Sequence, residues 1–416
     1  VSIQIYPIVS RRSRFVGALA NVGDFVYSEQ QAITQATPLT TLTAEQFLGN
    51  PHFSLYCFEP TTAHAIFVEL PSTVDLAAVP FVHQAQYEEA LRVARVPLSL
   101  FTQLALQLPP VSRPIFQFMS ARSGSTLLSQ AFNASGVTSS LSEPDVLTQL
   151  VHLQTRAGQP SLSFSDAELG LLADSALRFL FRPGHLPRHN TEMTPAVKLR
   201  SEGVRLMALL QQAFPQATPL FLYRDTLGWV NSFHRIFHKL QMLESVTVDA
   251  WQHQYEGFLH TDLSHLRSFL APQQQQLTLV EQLTLWWIAI MEWYLIQWQA
   301  GVPVLAVRYT DLNGARELTL NAIFAHCGLP AAAVQPALSA FAADSQAGTL
   351  LAREHPDQGS PLALTAQEVK QMVTILQRHP QLRHPNFWAP GTLDLALYRN
   401  RRQLLPTTPV RNPVTS

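Results

Sequence analysis

The sequence predicts an α/β fold, a parallel sheet flanked by helices on both faces, preceded by an N-terminal mixed α+β region. Three observations predict it. Apolar runs of strand length, Ile115–Met119, Leu220–Tyr223 and Val302–Tyr309, alternate with stretches of helical periodicity, the pattern of a doubly wound sheet buried on both sides. Each run ends in small or charged polar residues, where ligands of such sheets bind. Hydrophobic residues make up 47% of the 416 and charged residues 14%, enough apolar material for a large core, with no run of about 18 apolar residues that would read as a membrane span.

Taken in order, residues 1–110 form an accessory region with strands at Phe53–Phe58 and Ala65–Leu70 and a helical pattern near His83–Arg95. Pro109, Pro110 and Pro114 mark a connector into the first apolar strand, and the small-residue turn Ala121–Ser125 gives way to a helical pattern from Thr126. Further helices are expected at Asp166–Phe181 and Gly203–Phe214, with a loop rich in Pro, Arg and His at Arg182–Pro195 between them. The His- and Gln-rich segment His253–Gln276 reads as looping out, and a buried helix over 277–300 carries four of the seven tryptophans. Residues 111–403 thus make the main domain, and 404–416 a loose tail.

Composition excludes several classes. A net charge of −1 removes the electrostatic basis of nonspecific nucleic-acid binding. Cys57 and Cys327 supply neither a disulfide framework nor zinc-ligand spacing, and the arginines of VSIQIYPIVSRRSR follow the apolar stretch, opposite to a secretory signal. The expectation is a cytoplasmic protein without a membrane span. Only Lys198, Lys239 and Lys370 are lysines, so a lysine beside an anion-binding motif stands out.

The first motif is FMSARSGSTLL, Phe118–Leu128, between a strand and a helix. Backbone N–H groups at a helix start, the hydroxyls of Ser125 and Thr126 and the Arg122 guanidinium can cradle a phosphate there; a plain Ser/Gly turn has the same composition. It is P-loop-like but is not the ATP-type loop, since Gly124 is its single glycine and no lysine follows. Next comes LSEPD, with Glu143 lying 21 residues after Arg122, a candidate general base or a helix cap ahead of a proline. In LFLYRDTLGWVNSFHR, Arg224 at a strand end and Ser232 two turns into the following helix can address one phosphate. In VLAVRYTDL, Tyr309 can stack on a base and Asp311 can cap a helix. His234 and His238, four apart on a helix, lack the H-E-x-x-H pattern of a metal site, and Ser345 and Thr349 in DSQAGTLLARE, Asp344–Glu354, are further possible phosphate contacts.

These four motifs, in this order and at these intervals, resemble the sulfotransferase family, with the arginine-type loop and downstream glutamate similar to its carbohydrate and tyrosylprotein members. The resemblance spans residues 112–355 and implies the sulfotransferase fold. It implies 3′-phosphoadenosine 5′-phosphosulfate as donor, held at its 5′-phosphosulfate by Arg122, Ser123, Gly124, Ser125 and Thr126. It further implies Arg224 and Ser232 on the 3′-phosphate, Tyr309 near the adenine, Glu143 as the acceptor-activating base and Lys198 neutralising the sulfuryl oxygens. No metal is expected. Two departures are visible: Ala121 replaces the usual proline before Arg122, and the histidine of the aryl-type enzymes has no counterpart. The resemblance implies a hydroxyl acceptor, a carbohydrate or small molecule, with a sugar, a small alcohol, a phenol and a peptide tyrosine all open, selected by the segments Val151–Pro195 and Val246–Pro272. The competing readings are a kinase-like phosphotransferase, against which the missing loop lysine speaks, and a nucleotide-binding protein of the same fold without turnover.

Overall fold

The computed structural model describes residues 2–14, 17–27, 40–154, 164–187, 190, 192–240, 245–259, 261–347, 349 and 363–404. The expected tail beyond 404 lies outside them, as do parts of the two segments expected to select the acceptor. The chain opens with an antiparallel sheet of β1 (Ser2–Arg11), β2 (Phe25–Tyr27), β3 (Thr40–Thr43), β4 (Phe53–Glu59), β5 (His64–Glu69) and β6 (Arg92–Pro97), in the order β2-β1-β6-β5-β4 with β3 also on β1. Three helices accompany it, α1 (Ala44–Gly49), α2 (Val82–Glu89) and α3 (Leu98–Ala105). The helical pattern expected over His83–Arg95 therefore ends at Glu89. Arg92–Pro97 is a strand because β1 and β5 pair with it from both sides, and tertiary pairing overrides a local pattern that fits either period.

A second sheet follows, its strands β7 (Ile115–Met119), β8 (Thr138–Ser142), β9 (Thr194–Lys198) and β10 (Thr218–Tyr223) being joined by a fifth at Leu305–Arg308. After β7 comes α4 (Ser125–Ala134); after β8 come α5 (Asp145–Thr148), α6 (Leu150–Gln154) and α7 (Asp166–Leu180). A 3₁₀ turn at Ser201–Leu206 and α8 (Met207–Ala213) follow β9, and α9 (Thr226–Lys239) follows β10. The short pair β11 (Val246–Thr247) and β12 (Gln276–Leu277) encloses α10 (Val248–Leu259) and leads into α11 (Leu279–Gln299), β13 (Leu305–Arg308), α12 (Tyr309–Gly314) and α13 (Arg316–His326). The expected loop at His253–Gln276 is thus helical through Leu259. Val248 and Trp251 are buried and Tyr255 packs on Trp286 of α11, an apolar stripe that ties the His- and Gln-rich segment down.

The second sheet is parallel throughout, in the order β13-β10-β7-β9-β8. Its side chains alternate between two cores: Phe116, Phe118, Val197, Phe221 and Tyr223 face one, Ile115, Met119, Ala196, Leu220 and Leu222 the other. The first of these cores is continuous with that of the N-terminal sheet, where Phe101 stacks on Phe179 of α7 at 5.2 Å. Strands β8 and β9 escape the apolar-run criterion for a physical reason. In β8, TSSLS, Ser140 Oγ bonds Ser129 at 2.8 Å and its N–H donates to Asn133 Oδ1 at 2.6 Å, so this edge strand packs on α4 through hydroxyls and an amide.

The edge at β13 is covered late in the chain, where the Ala306 N–H donates to Gly391 O and the Leu393 N–H to Ala306 O. Gly391 has φ 74°, and a Cβ there would stand 2.4 Å from the Trp298 ring and 3.0 Å from Val304 O. Gly391→Ala combines left-handed strain with overpacking and is expected to lower unfolding free energy by about 2–4 kcal/mol. Urea denaturation checks this; an unchanged midpoint would refute the close approach.

Candidate functional site

The carboxyl ends of all five parallel strands carry the residues singled out in the sequence. The loop Ser120–Gly124 follows β7, Glu143 follows β8, Lys198 ends β9, Arg224 follows β10 and Tyr309 follows β13. One edge of one sheet therefore gathers motifs spread over nearly 190 positions, since parallel strands all present the same end to the same side.

The loop after β7 is a tight, left-handed turn, with φ 62° at Ala121, 50° at Arg122 and 80° at Gly124. Proline, whose φ is fixed near −65°, cannot occupy position 121 in this backbone. Gly124 is required by its surroundings as well: a Cβ would meet Tyr309 Cδ2 at 3.2 Å and Leu312 Cδ2 at 3.1 Å. It precedes α4 without offering a side-chain cap, so the first-turn N–H groups have no intrahelical acceptor. The loop is pinned from below by the Trp229 indole N–H, which donates to Ser120 O.

Around this turn the predicted residues meet directly. Arg122 Nε donates to Ser232 Oγ at 3.0 Å and its Nη1 to Gln346 Oε1 at 2.8 Å. Ser232, expected to share one phosphate with Arg224, accepts here from the loop arginine. Arg224 lies over the Tyr309 ring, 4.5 Å from its centroid, and its Nη1 approaches Arg122 O at 3.5 Å. Tyr309 thus carries a cation on its face. In the Asp344–Glu354 segment, Gln346 makes the contact to Arg122, while Ser345 O accepts from Gln130 and Thr349 Oγ1 donates to Gln346 O; positions 348 and 350–354 lie outside the described residues.

Lys198 is 1% exposed. Its Nζ donates to Glu143 Oε1 at 2.7 Å, Thr126 Oγ1 at 2.8 Å and Ser142 Oγ at 3.2 Å, and stands 5.0 Å from the Phe81 ring centroid. The ammonium joins the carboxylate directly to the phosphate-type loop. Burial alone would raise the Glu143 carboxyl, but Lys198, Arg200 and His83 together hold it below the usual carboxylate range. Its Oε2 is 3.9 Å from Arg200 Nε, beyond hydrogen-bond distance. The capping alternative finds no support: α5 starts after Pro144 without a side-chain cap. Asp311 sits in the first turn of α12, paired with Arg308, rather than at its cap. His234 pairs with Glu368 at 3.4 Å, and the described residues hold no cluster of three or more His, Cys, Asp or Glu able to bind a metal.

Sequence reasoning missed two members of the site. Asp145, wholly buried, accepts from Arg200 Nε and Nη2 at 2.7 and 2.8 Å, from Arg14 Nη2 at 3.0 Å and from the Ala20 N–H at 2.8 Å. A signal was present: Asp145 closes the LSEPD motif, and Arg200 stands two positions after Lys198, on the same side of an extended chain. Two buried groups at the site lack a partner among the described residues, Ser123 Oγ and Arg224 Nε. Both are donors aimed at no protein acceptor, the arrangement expected where an anion binds.

No family model and no curated protein matches the chain. Among solved structures it is similar to a sulfotransferase of Mycobacterium avium, at 14% identity and a TM-score of 0.38 over 67% of this chain and 80% of that one. It is similar also to a sulfotransferase of Alicyclobacillus acidocaldarius (14%, TM-score 0.36, 70% and 100%) and to the sulfotransferase domain of the Synechococcus PCC 7002 olefin synthase (16%, TM-score 0.33, 64% and 95%). No helix among the described residues is long and apolar enough to cross a membrane.

Asp145, like Glu143, is held below the usual carboxylate range, burial being outweighed by Arg200, His83 and Arg14. A carboxyl depressed in the folded state contributes stability that is complete above its unfolded value, about 4, and lost as pH falls through the folded one. Asp145→Asn strands buried arginines and should cost about 3–5 kcal/mol at neutral pH. Chemical denaturation across pH is expected to show that deficit shrinking in acid; a deficit independent of pH would exclude the charge as its cause.

Proposed function

We propose that the chain is a sulfotransferase that moves a sulfuryl group from 3′-phosphoadenosine 5′-phosphosulfate to the hydroxyl of a carbohydrate or small molecule. The observation that carries this reading is the Thr126–Lys198–Glu143 chain of hydrogen bonds, which couples a phosphate-type loop to a carboxylate through one buried ammonium. The residues fit the donor. Ser123 Oγ and Arg224 Nε are buried donors in want of acceptors, and the left-handed loop with Gly124 leaves backbone N–H groups for an anion.

When bound, the donor supplies the sulfuryl group and a 5′-phosphate leaving oxygen. Arg122, Ser123, Gly124, Ser125 and Thr126 hold the 5′ end, Arg224 and Ser232 the 3′-phosphate, and Tyr309 the base side of the site. Glu143 takes the proton of the acceptor hydroxyl as its oxygen bonds to sulfur. A depressed carboxyl is a weak base, and it accepts that proton only as bond formation acidifies the hydroxyl. Protonating Glu143 removes the anion that Lys198 neutralises, and the ammonium charge becomes available to the oxygen on which negative charge develops. Fixed cations at that point lower the barrier because they need no reorganisation.

Calorimetry is expected to show tighter binding of 3′-phosphoadenosine 5′-phosphate than of AMP, and a loss of about 1.5–3 kcal/mol in Arg224→Ala. Equal affinity for the two nucleotides would remove the 3′-phosphate assignment. Glu143→Gln should lower kcat by about 10²–10⁴ while nucleotide affinity holds and, because Lys198 loses its counter-ion, stability falls. Full turnover in this variant, scored by the mass of the sulfated acceptor, would sink the base assignment.

A further inference from the structure

Residues 77–83 of the N-terminal region lie against the chain at Ser142 and Glu143 and against the lysine. Ala77 O accepts from Asn133 Nδ2 at 2.7 Å and Pro80 O from Ser142 Oγ at 2.6 Å. The Phe81 ring lies beside Lys198 Nζ, and His83 Nδ1 is 3.2 Å from Glu143 O and 3.6 Å from Asp145 Oδ1. Glu143 itself has φ 56°. A glutamate in the left-handed region is strained and persists where its surroundings over-determine it. Two bonds do so here: its N–H donates to Lys198 O at 2.8 Å, and its carbonyl accepts from His83. A carbonyl only accepts, so the imidazole carries its proton on Nδ1. With burial pushing the ring down to about 4, it is neutral at ordinary pH.

We propose that His83 is a positioning residue of the site, its Nδ1–H fixing the Glu143 backbone in the left-handed conformation that delivers the carboxylate to Lys198, so that the N-terminal region is a working part of the active centre. Asp145 and Arg200 form the floor against which the imidazole rests, and Arg14 and Ala20 tie the same floor to the N-terminal region. The inference rests on the sulfotransferase reading for its kinetic consequence, although the geometry it asserts stands apart from any activity.

The test follows from the chain's having three lysines. Labelling lysine with carbon-13 at Cε gives one resonance for each, and Lys239→Arg and Lys370→Arg identify the Lys198 signal. His83→Asn keeps a donor at the place of Nδ1, whereas His83→Gln puts it at the place of Nε2 and His83→Ala removes it. The Lys198 resonance should be as in the parent chain in His83→Asn and displaced in His83→Gln and His83→Ala. Turnover should follow: kcat in His83→Asn within about threefold of the parent, and down by about tenfold to a hundredfold in the other two with donor KM little changed, the scale of a misplaced catalytic group. A Lys198 signal and kcat untouched in folded His83→Gln would overturn the proposal, and so would a His83→Asn variant as impaired as His83→Gln. Absence of sulfo transfer in the parent chain itself would defeat the functional reading, while the resonance alone would still decide the positioning role.

Discussion

A lysine ammonium 1% exposed must be answered by an anion, and Lys198 meets Glu143 at 2.7 Å. Much of the site can be read as the consequence of that one contact. Ion pairs taken out of water are stable only when hydrogen bonds satisfy what the partner leaves over, and here Thr126 and Ser142 accept the remaining hydrogen bonds of the ammonium. Thr126 belongs to the helix after the phosphate-type loop and Ser142 to the adjoining edge strand, so satisfying one cation brings three chain segments to a common point. The same bond that stabilises the pair joins a candidate base to a candidate anion cradle.

Beneath that pair lies a second, deeper one. Asp145 follows Glu143 by two residues and collects Arg200, Arg14 and the Ala20 N–H, with His83 alongside. Breaking such a network by removing one member leaves the others buried and uncompensated. Two of its donors come from the first 20 residues and His83 from α2, and the hydrophobic core is likewise continuous from the N-terminal sheet to one face of the parallel one. Residues 1–110 thus supply Arg14 and the Ala20 N–H to Asp145 and His83 to the Glu143 carbonyl.

How much of this was legible depended on whether the signal was local. The strand ends at Arg122, Arg224 and Tyr309 were readable because apolar runs of strand length precede them, and Lys198 because lysine is scarce. Strand β8 was not, since TSSLS carries one apolar residue and packs through hydroxyls. That Ser232, placed by its spacing from Arg224 as a second phosphate contact, also accepts from Arg122 turns on which side chain the loop sends toward α9, and spacing along the chain carries no such direction.

By itself the sequence determined the α/β alternation, the strand ends and the residue types that gather anions, because strand burial, turn chemistry and charge are properties of short windows. Only the tertiary structure decided that Glu143 faces Lys198 from a left-handed backbone, that Asp145 and Arg200 lie beneath them, and that an N-terminal histidine holds the carbonyl. Those contacts link positions 55 and 60 apart in the chain. Their partners are chosen by which elements lie side by side, β8 beside β9 and the segment entering α2 against the ends of both, and adjacency in a sheet is set by the packing of the whole core.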